Sequence, residues 1–304
     1  MNNRDTALSG ESGAGRVGRP LVVGEVLFDV MPDGKRILGG APFNVAWHLQ
    51  AFGLRPLLIT RIGDDDPGDE VVAAMESWGM DTSAVQRDGS RPTGRVQVEL
   101  DEGEPTFHIL PDQAYDFVDD VQAEAAAAGE SFTLLYHGSL ISRNEVSRGA
   151  LDNLARGPEL PTFVDVNLRD PWWSRERVLR SVRRATWVKL NESELSLLAE
   201  AGADASAAAF RDLHDLDTLI VTRGDRGAAL VGPAGALEAA PPEAVEVADT
   251  VGAGDAFSAV VILGLTRGWS AELVLERALQ FAAAVCTLSG ATTMDRSLYT
   301  EFLD

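Results

Sequence analysis

Short apolar runs recur along the chain, separated by stretches in which apolar residues return every three or four positions. The runs are 21–28 (LVVGEVLF), 56–63 (PLLITRIG), 132–138 (FTLLYHG), 161–167 (PTFVDVN), 185–191 (ATWVKLN) and 218–224 (TLIVTRG). Runs of this length with little alternation predict strands buried on both faces, the habit of parallel sheets. Between them, residues 44–52 place Val45, Leu49 and Phe52 near one face. Residues 67–78 open with Pro-Gly-Asp and carry Val71, Val72 and Met75. Both patterns predict helices. Strands alternating with helices predict an α/β fold: a doubly wound, mostly parallel sheet flanked by helices.

Two regions break that rhythm. Residues 94–100 (GRVQVEL) alternate Val96, Val98 and Leu100 with polar positions, and a turn at 101–104 leads into 105–110. This predicts a hairpin with one wet face. A second extended piece, 29–38, contains the turn Pro32-Asp33-Gly34. Together, residues of about 29–38 and 92–112 predict a small β-sheet outside the main one, placed as a lid. The alternative is an edge hairpin without a role. Near the C-terminus, 256–265 is apolar almost all round, which predicts a deeply buried helix. A further helix is expected over 271–288, ending at Gly290 as its C′ residue.

Composition narrows the functional classes. A chain of 304 residues with 45% hydrophobic content suits one large domain over 20–304, after a polar, disordered arm at 1–19. No apolar run is long enough to span a membrane, and no charged-then-apolar leader opens the chain. Cys286 is the only cysteine. It sits in an apolar helical pattern and is expected to be buried, which suits a cytoplasmic protein. His48, His108, His137 and His214 are scattered and are not read as metal ligands. With 47 acidic and 26 basic residues the net charge is −21. Such a surface argues against nucleic acid or an anionic membrane as partner.

The chemistry concentrates in DTVGAGDAF, residues 249–257. Gly252 and Gly254 lack Cβ atoms, so the backbone can turn sharply and approach a ligand closely. The amides of Ala253, Gly254 and Asp255 can then converge at the positive end of a helix dipole, a site for a phosphoryl group. Asp255 adds a carboxylate able to accept a proton from an attacking hydroxyl. The competing reading is an ordinary turn with Asp255 as a helix cap. That the following helix is apolar, and so points the turn inward, favours a site. The dipole is also expected to keep Asp255 strongly acidic and hence a weak base.

Other polar groups stand where predicted strands end: Asp29, the DVNLR segment at 165–169, NESE at 191–194 and TRGDRG at 222–227. A second glycine turn, GGAPFNVA at 39–46, opens a helix. Ligands of open parallel sheets bind beyond the carboxyl ends of the strands, so these groups share one rim. Arg169 is a candidate for neutralising phosphoryl charge; the alternative is a salt bridge with Asp165 or Asp170. The G-x-G-x-x-G spelled by residues 13–18 precedes the first strand and opens no helix, so it is rejected as a dinucleotide fingerprint.

With GGAPFNVA and DTVGAGDAF in this order, supported by RIGDDDPGD and VTRGDRGAAL, the chain resembles the ribokinase (PfkB) family of carbohydrate kinases from about Leu21 to its last helices. The resemblance implies a ribokinase-like fold with a small β lid and ATP-dependent phosphorylation of a sugar hydroxyl. It implies Asp255 as base, with Ala253 and Gly254 as the anion-hole amides and Gly252 beside them in the catalytic turn. Asp29, Gly39, Gly40 and Asn44 are implied as sugar contacts, and Thr222, Gly224 and Gly227 as nucleotide contacts. Asn191 and Glu194 match an N-x-x-E element that helps hold Mg²⁺ through water. A monovalent cation such as K⁺ is implied near Asp249 and Gly290. A homodimer joined through the lid is a family-level expectation.

GGAP, the PTGRVQVELDEGEPTFHIL stretch and the adjacent AYDFV resemble fructokinases, so fructose is the expected acceptor. Phe43 and Tyr115 depart from the commonest residues at their places. The alternatives are 2-keto-3-deoxygluconate, for which DVNLRDPWW also fits, and ribose or a nucleoside. Lys35, Arg36, Arg91 and Arg95 keep a sugar phosphate open. A non-catalytic sugar or nucleotide sensor is a further alternative, opposed by the intact Gly252, Gly254, Asp255, Asn191 and Glu194.

Overall fold

The computed structural model describes residues 17–101, 104–156, 160–199, 206–242 and 247–302. Most of the expected arm, and the rejected glycine motif except its last two residues, lies outside these residues. The strands in chain order are β1 (Arg19–Val23), β2 (Leu27–Val30), β3 (Arg36–Gly39), β4 (Leu57–Gly63), β5 (Val85–Asp88), β6 (Gly94–Asp101) and β7 (Glu104–Ile109). They continue with β8 (Phe132–Gly138), β9 (Thr162–Asp165), β10 (Trp187–Asn191), β11 (Thr218–Thr222), β12 (Ala228–Gly232) and β13 (Gly235–Ala239). The helices are α1 (Ala41–Ala51), α2 (Asp66–Trp78), α3 (Asp120–Ala127), α4 (Glu145–Leu154) and α5 (Arg175–Val182). After them come α6 (Glu192–Leu198), α7 (Ala207–Leu213), α8 (Ala253–Arg267), α9 (Ala271–Val285) and α10 (Ser297–Thr300).

Nine strands form the main sheet in the order β13-β12-β11-β10-β9-β8-β1-β4-β5. From β5 to β11 neighbours run parallel, and β12 and β13 close one edge antiparallel. The apolar runs become strands because helices cover both faces and side chains alternate between them. Leu134 and Tyr136 of β8 and Trp187 of β10 join the core beneath α1, α2, α8 and α9. On the opposite face, Val188 and Leu190 meet α5, α6 and α7, and Leu135 meets α3 and α4. The fold is the doubly wound α/β arrangement that the alternation predicts. No helix among the described residues is long and apolar enough to cross a membrane.

A second sheet of four strands, ordered β3-β2-β6-β7, occupies the segments expected to form it. The run at 21–28 is not one strand. It breaks at Gly24, Glu25 and Val26 between β1, in the main sheet, and β2, in the small one. A Cβ on Gly24 would lie 2.2 Å from Cγ of Pro42, so the crossing passes directly under the start of α1. Asp29 therefore belongs to the small sheet, not to the end of a main-sheet strand. β1 starts two residues earlier than expected, at Arg19, which pairs with Asp81 at 2.7 Å and Glu130 at 3.1 Å. At the other end, α9 stops at Val285, so Gly290 is not its C′ residue, although its φ is +93°. Cys286 is half-buried where full burial was expected.

Candidate active site

α8 is the element that anchors the site. Its residues from Asp255 to Thr266 are buried, as an almost wholly apolar helix must be. Gly252 caps it at φ 81°, in the left-handed region where a side chain is strained. A Cβ there would also lie 2.4 Å from Cβ of Ala291. The sequence thus folds a glycine turn hard against the 290–291 segment. The helix ladder starts with the Ala256 N–H donating to the Gly252 carbonyl at 2.8 Å. Of the amides ahead of it, that of Ala253 donates to the Thr250 carbonyl at 3.3 Å, while those of Gly254 and Asp255 have no acceptor within the helix, a geometry suited to an anion.

Asp255 is only 8% exposed and accepts a hydrogen bond of 2.8 Å from Nδ2 of Asn44. That bond joins the two glycine turns, 211 residues apart in sequence. Asn44 sits in the first turn of α1, whose N-cap is Gly40. Gly40 packs on the β1–β2 crossing so closely that a Cβ would lie 2.8 Å from the Glu25 carbonyl oxygen. Gly39 is buried at the end of β3, and Oδ1 of Asn44 lies 3.9 Å from where its Cβ would stand. Oδ1 of Asn44 and Oε2 of Glu25 are buried without a hydrogen-bond partner among the described residues.

The carboxyls here are not strongly acidic, against the expectation for Asp255. Burial pushes Asp255 up to about 6, with Asp165 adding to the rise, while Asn44, Lys189 and Arg169 oppose it. Desolvation outweighs the helix dipole because the group is almost wholly removed from water. Burial likewise lifts Glu25 to about 7, with Asp255 adding to the rise and Arg169 and Arg143 opposing it. Asp29 rises to about 6 through burial, opposed by Arg169. Arg169 is exposed and makes neither expected salt bridge. Asp165 binds Lys189 at 2.7 and 2.9 Å, and Asp170 accepts from Nε1 of Trp173 at 2.7 Å. Arg169 instead faces Asp29, Glu25 and Asp255 electrostatically.

The other predicted residues lie along the neighbouring rim. Asn191 and Thr222 are register partners at the ends of β10 and β11. Asn191 caps α6: its side chain accepts from the Glu194 N–H at 2.9 Å, and its own N–H donates to Oε2 of Glu194 at 2.8 Å. Oε1 of Glu194 accepts from the Leu168 N–H at 2.7 Å, tying the segment after β9 to α6. Each carboxylate oxygen keeps a further lone pair, which fits outer-sphere contact with a hydrated cation. Oγ1 of Thr222 donates to the Leu190 carbonyl at 3.5 Å. Gly224 and Gly227 bracket a short 3-10 turn. Gly227 has φ 87°, and a Cβ on it would meet the Ala239 carbonyl oxygen at 2.0 Å, so only glycine fits. Glu192 holds Arg223 and Arg226 beside this turn.

The Asp249 segment is tied to the end of α9, and the residue after Gly290 packs on the α8 turn. The Ala248 and Asp249 N–H groups donate to the Cys286 carbonyl at 2.9 and 3.2 Å, and Ala291 packs on Gly252. No group of three or more His, Cys, Asp or Glu side chains among the described residues is placed to hold a metal ion directly. A separate cavity of about 570 Å³, lined by Arg61, Arg91, Phe117 and Asp119 among others, includes none of these residues. Sequence reasoning missed Glu25, Lys189 and Tyr136. For Glu25 and Lys189 the available signal was a charged residue inside an apolar run, as in LVVGEVLF and ATWVKLN.

A family model described as pfkB family carbohydrate kinase matches residues 26–297. A fructokinase of Klebsiella pneumoniae is 33% identical over 266 residues, covering 82% of this chain and 84% of its own. An aminoimidazole riboside kinase of Salmonella typhimurium is 29% identical, covering 90% of each chain. The crystal structure of a fructokinase from Vibrio cholerae O395, bound to fructose, ADP and calcium ion, superposes with a TM-score of 0.79 at 27% identity. It covers 94% of this chain and 99% of the other. The chain belongs to the pfkB family of carbohydrate kinases, and it is a kinase with the ribokinase-like fold of that family.

Proposed function

We propose that this pfkB kinase transfers the γ-phosphoryl of ATP to the 6-hydroxyl of fructose, giving fructose 6-phosphate. The Asn44–Asp255 hydrogen bond at the N-terminus of α8 carries the reading. It puts a carboxylate of raised proton affinity at the N-terminus of α8, near two buried oxygens, Asn44 Oδ1 and Glu25 Oε2, that lack protein partners. Unpaired acceptors of this kind match the hydroxyl donors of a polyhydroxylated, neutral substrate. The fructokinase at 33% identity favours fructose among such acceptors. The aminoimidazole riboside kinase supports a riboside as the second reading.

In the mechanism, Asp29, Asn44 and the Gly39–Gly40 turn orient the sugar, and the small sheet acts as a lid. Asp255 takes the hydroxyl proton as the oxygen attacks phosphorus, and its pKa near 6 makes it an ionised but competent base at neutral pH. The first-turn amides of α8, opened by Gly252, and Arg169 stabilise charge on the transferring group. Thr222, Gly224 and Gly227 would hold the nucleotide, while Asn191 and Glu194 would hold Mg²⁺ through water; the ion would supply positive charge to the phosphates. Asp249 and the Gly290 segment form the neighbourhood of a monovalent cation such as K⁺. A cytoplasmic location and a homodimer through the small sheet, where Ile37 and Phe107 are exposed, complete the proposal.

The test is ADP release with Mg-ATP and potassium against fructose, 2-keto-3-deoxygluconate, ribose, adenosine and fructose 6-phosphate. A clear preference for fructose supports the reading to the level of substrate. A preference for another acceptor keeps the phosphotransfer chemistry and overturns the pocket assignment.

A further inference from the structure

Beneath the first turn of α8 lies a buried polar network that the proposed reaction leaves unused. Asp165, at the end of β9, and Lys189, on β10, are register partners. Nζ of Lys189 donates to both oxygens of Asp165, at 2.9 and 2.7 Å, with the two side chains 7% and 4% exposed. Tyr136 OH donates to Oδ2 of Asp165 at 3.2 Å from β8. Oγ of Ser258, one helical turn after Gly254, reaches the same oxygen at 2.7 Å and the Gly254 carbonyl at 3.1 Å. Nζ of Lys189 also stands 3.5 Å from where a Cβ of Gly254 would be. The pair is therefore in contact with the turn that presents the amides and Asp255.

We propose that the Asp165–Lys189 pair is a positioning device for phosphoryl transfer: through Ser258 it fixes the first turn of α8 on the sheet and places opposed charges behind Asp255. This deepens the reading of Asp255 as the base and rests on it. A buried ion pair contributes little net stability compared with apolar side chains of similar volume. Its geometric definition is another matter. Two strands and a helix meet at one carboxylate, so a shift of the helix start breaks several bonds at once. The two charges act on Asp255 in opposite senses, Asp165 raising its proton affinity and Lys189 lowering it. The other groups facing Asp255 come from different elements: Asn44 from α1, Glu25 from the β1–β2 crossing, Arg169 from the segment after β9 and Tyr136 from β8.

The opposed signs give a test that a purely structural role does not pass. The Asp255 carboxyl can be titrated by ¹³C NMR in aspartate-labelled full-length protein, its signal identified by its loss in Asp255→Asn. Asp165→Asn is expected to lower the Asp255 pKa by roughly half a unit or more, and Lys189→Met to raise it by a similar amount. The double variant Asp165→Asn/Lys189→Met removes both charges and should return the pKa toward wild type, which guards against a single variant that fails to fold. With fructose as acceptor, folded Lys189→Met should lose kcat by roughly 10- to 100-fold with little change in KM for the sugar. Shifts of the same sign, or no shifts, overturn the proposal, as does a wild-type kcat in folded Lys189→Met. The titration needs no substrate, so it stands apart from the panel: silence on fructose with opposed shifts overturns the substrate and leaves the positioning role intact.

Discussion

The proposed sugar side and the proposed nucleotide side of the site differ in how their polar groups are satisfied. Around Asp255 the polar groups are buried, and Asn44 Oδ1 and Glu25 Oε2 lack protein partners. Burial lifts three carboxyls, Asp29, Glu25 and Asp255, to about 6 or 7. Along the β10–β11 rim, Asn191 and Glu194 satisfy one another in a capping box, and Glu192 holds two arginines at the surface. The first region carries an electrostatic cost that a ligand would relieve. The second is satisfied from within: Glu194 is also buried and raised by that burial, but both its oxygens accept backbone N–H groups. Stability and activity should therefore separate on the sugar side and move together only weakly on the nucleotide side.

The strongest way to break the contrast is Asp255→Asn. The amide keeps the size and the polar contacts open to the carboxylate but cannot take a proton. Turnover should fall on the order of 10²- to 10⁴-fold while the melting temperature at pH 8 holds or rises. In the wild type kcat/KM should fall as pH drops below about 6, the proton affinity assigned to this carboxyl. Near-normal turnover in the folded variant removes Asp255 from the mechanism. A large loss of stability instead would show that the carboxylate serves the fold.

Glu25 sharpens the same contrast without touching the proposed base. Its carboxyl is raised from 4.5 to about 7, so the folded state holds its proton more tightly than the unfolded chain does. Stability from this group is complete below about pH 4.5 and is lost as pH rises through about 7. Glu25→Gln carries no titrating proton, so relative to wild type it should gain stability between those limits, by on the order of 3 kcal/mol. Urea unfolding of both proteins at pH 5 and pH 8 measures this. A pH-independent difference would mean that the wild-type carboxyl is solvated or paired, contrary to its burial.

The division also explains what could be read from the chain. Both glycine turns, the parallel sheet and the small sheet were legible because they rest on local pattern: glycine before a helix, apolar runs, and alternation in GRVQVEL. The proton affinity of Asp255 was not. A helix N-terminus is visible in sequence and argues for acidity, whereas the burial of α8 and the charges of Asp165 and Lys189 meet at Asp255 only in three dimensions. Arg169 shows the same limit. Its sequence neighbours Asp165 and Asp170 were the natural partners, but Lys189 and Trp173 occupy them. The break at Gly24–Glu25–Val26 escaped because an apolar run does not reveal a change of sheet.

The smallest effect is expected at Asn191, and it separates two jobs held by one side chain. As the cap of α6 it accepts the Glu194 N–H. Asn191→Ala should cost about 1 kcal/mol, the usual loss when a helix cap is truncated. Asn191→Ser keeps an oxygen at the cap and should recover most of that loss. If the side chain also faces the nucleotide through a hydrated cation, the serine variant should still show a raised KM for ATP, because its shorter reach serves the helix but not the ligand. Recovery of both melting temperature and KM in Asn191→Ser would make Asn191 a structural cap alone. The proposed magnesium contact would then pass to Glu194, whose remaining lone pairs do not depend on which residue caps the helix.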